Sequence, residues 1–178
     1  ALLRDWPRRR IRSLVDQAIA DRRCRGLFEG MQYVDRSIGS TWYPKVLGTY
    51  ELELVPVLKR FLGESFQQLI DVGAAEGYYA VGVACKTDWK VVAFEANPET
   101  PLPELAEING VADRVELRGA CDLGDLDKAL AEEPDSLLVV DVETAELFLL
   151  DPRFLPVLKQ ATVIVEVHDC FLPGIGAR

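Results

Sequence analysis

The chain has 178 residues, 49% hydrophobic and 28% charged, with 29 acidic against 20 basic side chains. That length suits one domain whose core needs no disulfide or metal staple, and the composition excludes disordered, collagen-like and small disulfide-scaffold classes. The formal charge of −9 argues against a general nucleic-acid binder, which needs cations facing phosphates.

Charge is unevenly spread. Residues 1–26 hold eight Arg and three Asp, a net of +5, which leaves −14 on the remainder. Here Ile11, Leu14, Val15, Ala18 and Ile19 recur at helical spacing, flanked by Arg8, Arg9, Arg10 and Arg12 and then by Arg22, Arg23 and Arg25. The pattern predicts an amphipathic helix docked on an acidic body with its arginines solvated. A helix facing phosphates or a membrane surface is the sharper alternative. Residues 1–45 are read as an N-terminal helical extension and 46–178 as the main domain. No apolar run approaches the roughly 20 residues of a membrane span, and no signal-peptide pattern opens the chain.

Cys24, Cys85, Cys121 and Cys170 lie far apart with no C-x-x-C pair. Zinc-ribbon and thioredoxin-like readings therefore fail, and a reduced, cytoplasmic chain is the simplest expectation.

From residue 67 the pattern alternates. Strands are predicted at 68–72, 90–94, 115–118, 136–141 and 161–167, and helices at 78–86, 103–109, 123–131, 145–150 and 154–159. Continuous apolar strands separated by helices predict an α/β fold with a doubly wound, mainly parallel sheet covered on both faces. In such sheets ligands bind beyond the carboxyl ends of the strands, at the topological switch point, and the unusual residues of this chain fall at those ends.

The most informative segment is Ile70-Asp-Val-Gly-Ala-Ala-Glu-Gly-Tyr-Tyr79, a strand running through a small-residue loop into a helix. Gly73 and Gly77 let a ligand approach the backbone, and helix N–H groups face a polar or anionic group. The loop reads G-x-x-x-G and lacks the middle glycine of the dinucleotide fingerprint. Asp71 ahead of it suits a cationic ligand better than a pyrophosphate. Glu95 ends the second strand, where an acid accepts hydrogen bonds from both hydroxyls of a ribose. Asp122, after the third strand, is either an adenine contact or a helix N-cap.

These residues resemble the S-adenosylmethionine-dependent methyltransferases of the Rossmann-like class, and more narrowly the FkbM-type family. The matching pieces are Gly48-Thr-Tyr-Glu51, Asp71-Val-Gly-Ala-Ala-Glu-Gly77, Ala93-Phe-Glu-Ala-Asn-Pro98, Asn109-Gly110, Asp141-Val-Glu-Thr-Ala-Glu146 and Val165-Glu-Val-His168. They follow family order over residues 48–169, about two thirds of the chain. The resemblance implies that Asp71, Gly73 and Gly77 hold the methionine part of the cofactor, Glu95 its ribose, and that Tyr50 and Glu51 close the pocket. Ala74, Ala96, Asp122 and Asp141 complete the implied cofactor set. Two positions depart from the family: Val139 stands where a lysine is usual, and Thr144 where a glycine is usual. Both bear on the acceptor rather than on the cofactor.

Asp141, Glu143, Glu146, Glu166, His168 and Asp169 gather at or just past the ends of the fourth and fifth strands. Such acids need partners if buried. His168, the only histidine, is a candidate general base, with a structural role and metal ligation as alternatives. Asp141 is the other candidate catalytic residue, as a substrate contact. A divalent cation on Asp141, Glu143 and Asp169 is a further alternative, with no metal as the working expectation.

The expected activity is methyl transfer from S-adenosylmethionine to an oxygen of a small-molecule acceptor, with neither nucleic acid nor membrane as partner. The alternatives are a non-catalytic methyltransferase-like binding module, a nicotinamide-dependent oxidoreductase and, on the strength of the arginines, an RNA methyltransferase. Eleven residues follow the fifth strand. The terminal helix and antiparallel strand pair usual in such methyltransferases are therefore expected to be missing from the chain or from the fold.

Overall fold

The computed structural model describes residues 2–168, with the backbone alone for 2–9. Asp169 and Cys170 lie outside the described residues.

Five strands form one all-parallel sheet: β1 (Gln68–Val72), β2 (Lys90–Phe94), β3 (Val115–Arg118), β4 (Ser136–Val140) and β5 (Thr162–Val165). Their order is β3-β2-β1-β4-β5, so the chain reverses direction across the sheet between β1 and β4. The strands form because short apolar, β-branched runs can be buried on both faces. Leu69, Val91, Ala93, Leu137 and Val139 face one layer, and Ile70, Val72, Val92, Phe94, Leu138 and Val140 face the other. Period-two alternation sends neighbouring side chains to opposite layers.

The first layer holds α4 (Tyr78–Lys86) and α5 (Leu102–Ile108), the second α6 (Leu123–Glu132) and α7 (Glu146–Leu149). In α4 the small residues Ala80, Gly82 and Ala84 are buried, and Gly82 admits the Phe28 ring. Asp122 caps α6 by accepting from the backbone of Asp125 at 2.8 Å in a reciprocal capping box.

Toward the N-terminus lie α1 (Leu2–Ala18), a 3-10 turn at Gly26–Phe28, α2 (Trp42–Leu47) and α3 (Val55–Phe61). Ile19, Phe28, Met31, Tyr33 and Val46 join the same core cluster as the sheet's first face. The segment from residue 19 onward thus helps build the core. The expected docking of α1 is only partly realised. Ile11 and Leu14 are 61% and 58% exposed, and the helix meets the body through Val15 and the Ile19 that follows it.

Two predicted elements are shorter than expected. The fifth strand spans four residues, and in place of a helix over 154–159 stands a 3-10 turn, Pro156–Lys159. Pro156 supplies no N–H and steers Leu155 away from helical angles, which denies an α-helix its start there.

Candidate functional site at the carboxyl ends of the strands

Register brings the site together. Val72 pairs with Phe94 on one side and with Val140 on the other, so β1, β2 and β4 end level. The next residues, Gly73, Glu95 and Asp141, therefore emerge side by side. The backbone continues the ladder past the strand ends: Gly73 N–H donates to Phe94 at 2.9 Å, Asp141 N–H to Val72 at 2.9 Å, and Glu166 N–H to Val140 at 2.9 Å.

A cavity of about 610 Å³ opens at this point. Gly73, Ala75, Glu95 and Ala96 line one side, Asp141, Glu143, Glu166 and His168 another, and Ile38–Ser40, Lys45, Tyr50 and Glu51 a third. Of the residues singled out in the sequence, Tyr50, Glu51, Gly73, Glu95, Ala96, Asp141 and His168 lie on its wall. Asp71, Ala74, Gly77 and Asp122 do not. Ala74 is buried, and Ala75, with a φ of 50°, takes the wall position. Gly77, at a φ of 94°, begins α4 against Leu102. Asp122 faces a neighbouring hollow beside Phe148.

Glu95 is fixed by the loop it faces. One carboxylate oxygen accepts from Ala75 N–H at 2.7 Å and the other from Asn97 N–H at 2.7 Å. A carboxylate offers about four lone-pair sites, so two remain for a ligand's hydroxyls.

Asp71 lies wholly buried on the α4 side of β1, and its Oδ2 has no hydrogen-bond partner among the described residues. Burial pushes its carboxyl up to about 7 against a hydrogen bond from the Ala80 backbone, with Asp141 and Glu95 adding to the rise. Asp141 rises to about 6, mainly by burial and then by Glu166, against the opposing charge of His168.

His168 is 6% exposed. Its Nδ1 lies 2.5 Å from Glu146 Oε1, and its Nε2 lies 3.5 Å from Asp141, 3.9 Å from Glu143 and 3.9 Å from Glu166. Burial alone would lower the imidazole. The hydrogen bond and charge of Glu146, with Asp141 and Glu166 behind it, outweigh burial and hold it above its ordinary value. Donor atoms of Asp141, Glu166 and His168 come within 4.8 Å of one another. A divalent cation can bridge that spacing.

Three residues that sequence reasoning gave no role are structurally central here. Glu76, fully buried, accepts hydrogen bonds from the Tyr33 hydroxyl, the Ser37 hydroxyl at 2.7 Å, the Ile38 N–H at 3.0 Å and the Lys45 ammonium. Burial would raise its carboxyl, but Lys45, Ser37 and Tyr33 prevail and hold it below the usual range. This knot ties residues 33–45 to the glycine loop. Lys45 also sits 4.8 Å from the Tyr50 ring centroid. Charged residues inside otherwise apolar or small-residue runs, Trp42–Leu47 and Gly73–Gly77, were the available signal. Glu146, the third, stood in the acid cluster without an assigned partner.

No protein-family model matches the chain, and no curated protein matches it. Among solved structures, the bifunctional kinase-methyltransferase WbdD is 19% identical with a TM-score of 0.54, over 89% of this chain and 36% of that one. A protein from Staphylococcus aureus assigned as a caffeoyl-CoA O-methyltransferase is 16% identical with a TM-score of 0.50, over 71% and 62%. An RNA methyltransferase from Salinibacter ruber, solved with S-adenosyl-L-homocysteine, is 24% identical over 62% and 73%, with a TM-score of 0.44. The chain thus spans about a third of WbdD and under two thirds of the staphylococcal protein. Likeness at these identities concerns the fold, which is that of Rossmann-like methyltransferases. No helix among the described residues is long and apolar enough to cross a membrane.

Proposed function

We propose that this chain is the S-adenosylmethionine-binding domain of a methyltransferase of the FkbM type, acting in the cytoplasm on an oxygen of a small-molecule acceptor. The observation that carries the reading is the pairing of Glu95 with the glycine loop across a cavity whose other wall holds Asp141, Glu166 and His168. Carboxylates around the cavity, with its one lysine already spent on Glu76, suit a cationic sulfonium and disfavour a pyrophosphate. An acid at the end of β2 suits a ribose.

Such a cofactor supplies an activated methyl group: the new oxygen–carbon bond forms as the carbon–sulfur bond breaks, its electron pair staying on sulfur. The protein's part is placement and proton removal. Glu95 orients the ribose, Tyr50 and Glu51 close one side, and Asp141 contacts the acceptor. His168 takes the acceptor's hydroxyl proton. The same wall of acids argues against RNA, whose phosphates it would repel.

Calorimetry with S-adenosylhomocysteine and with NAD tests the reading. Micromolar binding of the first and none of the second is the expected result. NAD binding without S-adenosylhomocysteine binding would replace it with an oxidoreductase. Retained cofactor affinity with no transfer across a broad acceptor panel would replace it with a non-catalytic binding module.

A further inference from the structure

We infer that Glu146 is a positioning residue which locks His168 with its Nδ1 proton turned inward, so that Nε2 is the basic atom presented to the cavity. The inference deepens the methyltransferase reading and rests on it only for what the base acts upon.

The geometry separates the two ring nitrogens. Nδ1 lies 2.5 Å from Glu146 Oε1, within hydrogen-bond length, while Asp141, Glu143 and Glu166, cavity-side acids among the described residues, lie 3.5 Å or more from Nε2. An ionised carboxylate can only accept, so the proton between Glu146 and the ring belongs to Nδ1. Glu146 itself is 5% exposed and does not line the cavity. Its second oxygen, Oε2, has no hydrogen-bond partner among the described residues. A buried carboxylate with an orphaned oxygen is costly unless its other oxygen keeps a strong hydrogen bond, and the His168 Nδ1–H supplies that bond.

Among the described residues, the groups facing the ring include Glu146 from α7, Asp141 and Glu143 from the loop after β4, and Glu166 just past β5. Only Glu146 among them is buried; Asp141 is partly exposed, and Glu143 and Glu166 stand 74% and 53% exposed at the side chain. Solvent and an incoming cation screen those three, whereas the Glu146 bond persists. The acceptor's O–H proton passes to Nε2 as its oxygen takes the methyl group. The imidazolium so formed is stabilised across Nδ1 by Glu146 and later returns its proton to water. Removing Glu146 leaves a ring free to adopt the other tautomer, with its proton on Nε2 and no lone pair toward the acceptor.

Because the chain has one histidine, ¹⁵N NMR of histidine-labelled protein in EDTA reads this directly. In the wild type, above the ring's titration, the neutral imidazole should carry its proton on Nδ1. In Glu146→Leu the proton should move to Nε2. In Glu146→Gln, which keeps the side chain's shape, the titration should fall to lower pH while S-adenosylhomocysteine affinity stays unchanged. A wild-type ring protonated on Nε2 would overturn the inference, as would a folded Glu146→Leu with the wild-type tautomer. If Glu146→Leu does not fold, an unshifted titration in Glu146→Gln overturns it alone. Failure of the wild type to bind S-adenosylhomocysteine would sink the cofactor reading while leaving the tautomer result standing, so the two failures are distinguishable.

Discussion

Gly73 and Asp141 are in backbone contact: a Cβ built on Gly73 would stand 1.7 Å from the Asp141 carbonyl oxygen. Gly73 also has a φ of 87°. The glycine opening the loop is therefore required by the neighbouring strand end before any ligand arrives. Gly73→Ala should destabilise the protein by roughly 3 kcal/mol or more, since neither backbone segment can yield cheaply. Urea denaturation measures it, and a loss under about 1 kcal/mol would mean the two segments are not so tightly joined.

Asp71 should make stability fall as pH rises. Its folded value of about 7 lies above the ordinary 3.8. An acid shifted this way contributes stability present below the lower value and lost as pH rises through the upper one. The ligand-free protein should therefore lose stability between about pH 4 and 7 from this group. Asp71→Asn should raise Tm at pH 8, by the equivalent of about 2 kcal/mol. Thermal melts of both proteins at pH 5 and pH 8 test this, and an equal Tm gap at the two pH values would overturn it.

Thr144 has a φ of 86° and Glu143, just before it, a φ of 50°. A β-branched residue in that region is strained by about 1–3 kcal/mol. Thr144→Gly relieves the strain but gives back up to about 1 kcal/mol of chain entropy. A net gain of about 1 kcal/mol in unfolding free energy is expected, and a loss would show that the threonine side chain has a packing role.

Glu95→Gln should weaken S-adenosylhomocysteine binding about tenfold, because an amide keeps one acceptor but loses the charge-assisted bonds to hydroxyls. Glu95→Ala should cost more, since the Ala75 and Asn97 N–H groups also lose their partner. Calorimetry on both variants separates the two contributions, and equal affinities in all three proteins would remove Glu95 from the pocket.

Lys45→Met should destabilise by roughly 3 kcal/mol, leaving Glu76 charged and buried with only hydroxyl and N–H donors. Lys45→Met combined with Glu76→Gln should recover much of that loss. A double variant no better than the single one would show that the charge pair is not the source of the cost. Chemical denaturation of the wild type, both single variants and the double variant reads the coupling.

The sheet was legible because its strands are apolar runs ending in glycine or acid, a pattern that survives without knowledge of tertiary contacts. The positions of Glu95 and Asp141 followed from it, since register alone aligns the strand ends. What escaped was set by distant partners. Nothing periodic in residues 26–51 says that Tyr33, Ser37 and Lys45 converge on Glu76. Ala74 and Ala75 are chemically identical, and only the left-handed turn at Ala75 decides which one meets the cavity. The apolar spacing around Ile11 and Leu14 suggested burial, but both side chains stand exposed on α1.

The knot at Glu76 restricts how the chain can change over time. Its acid is held by four donors from one stretch of chain, and losing the Tyr33, Ser37 or Lys45 side chain strands a charge or a lone pair in the interior. Descendants of this sequence must carry Glu76 and Lys45 together or exchange both at once. The roof over the cavity is inherited as a unit.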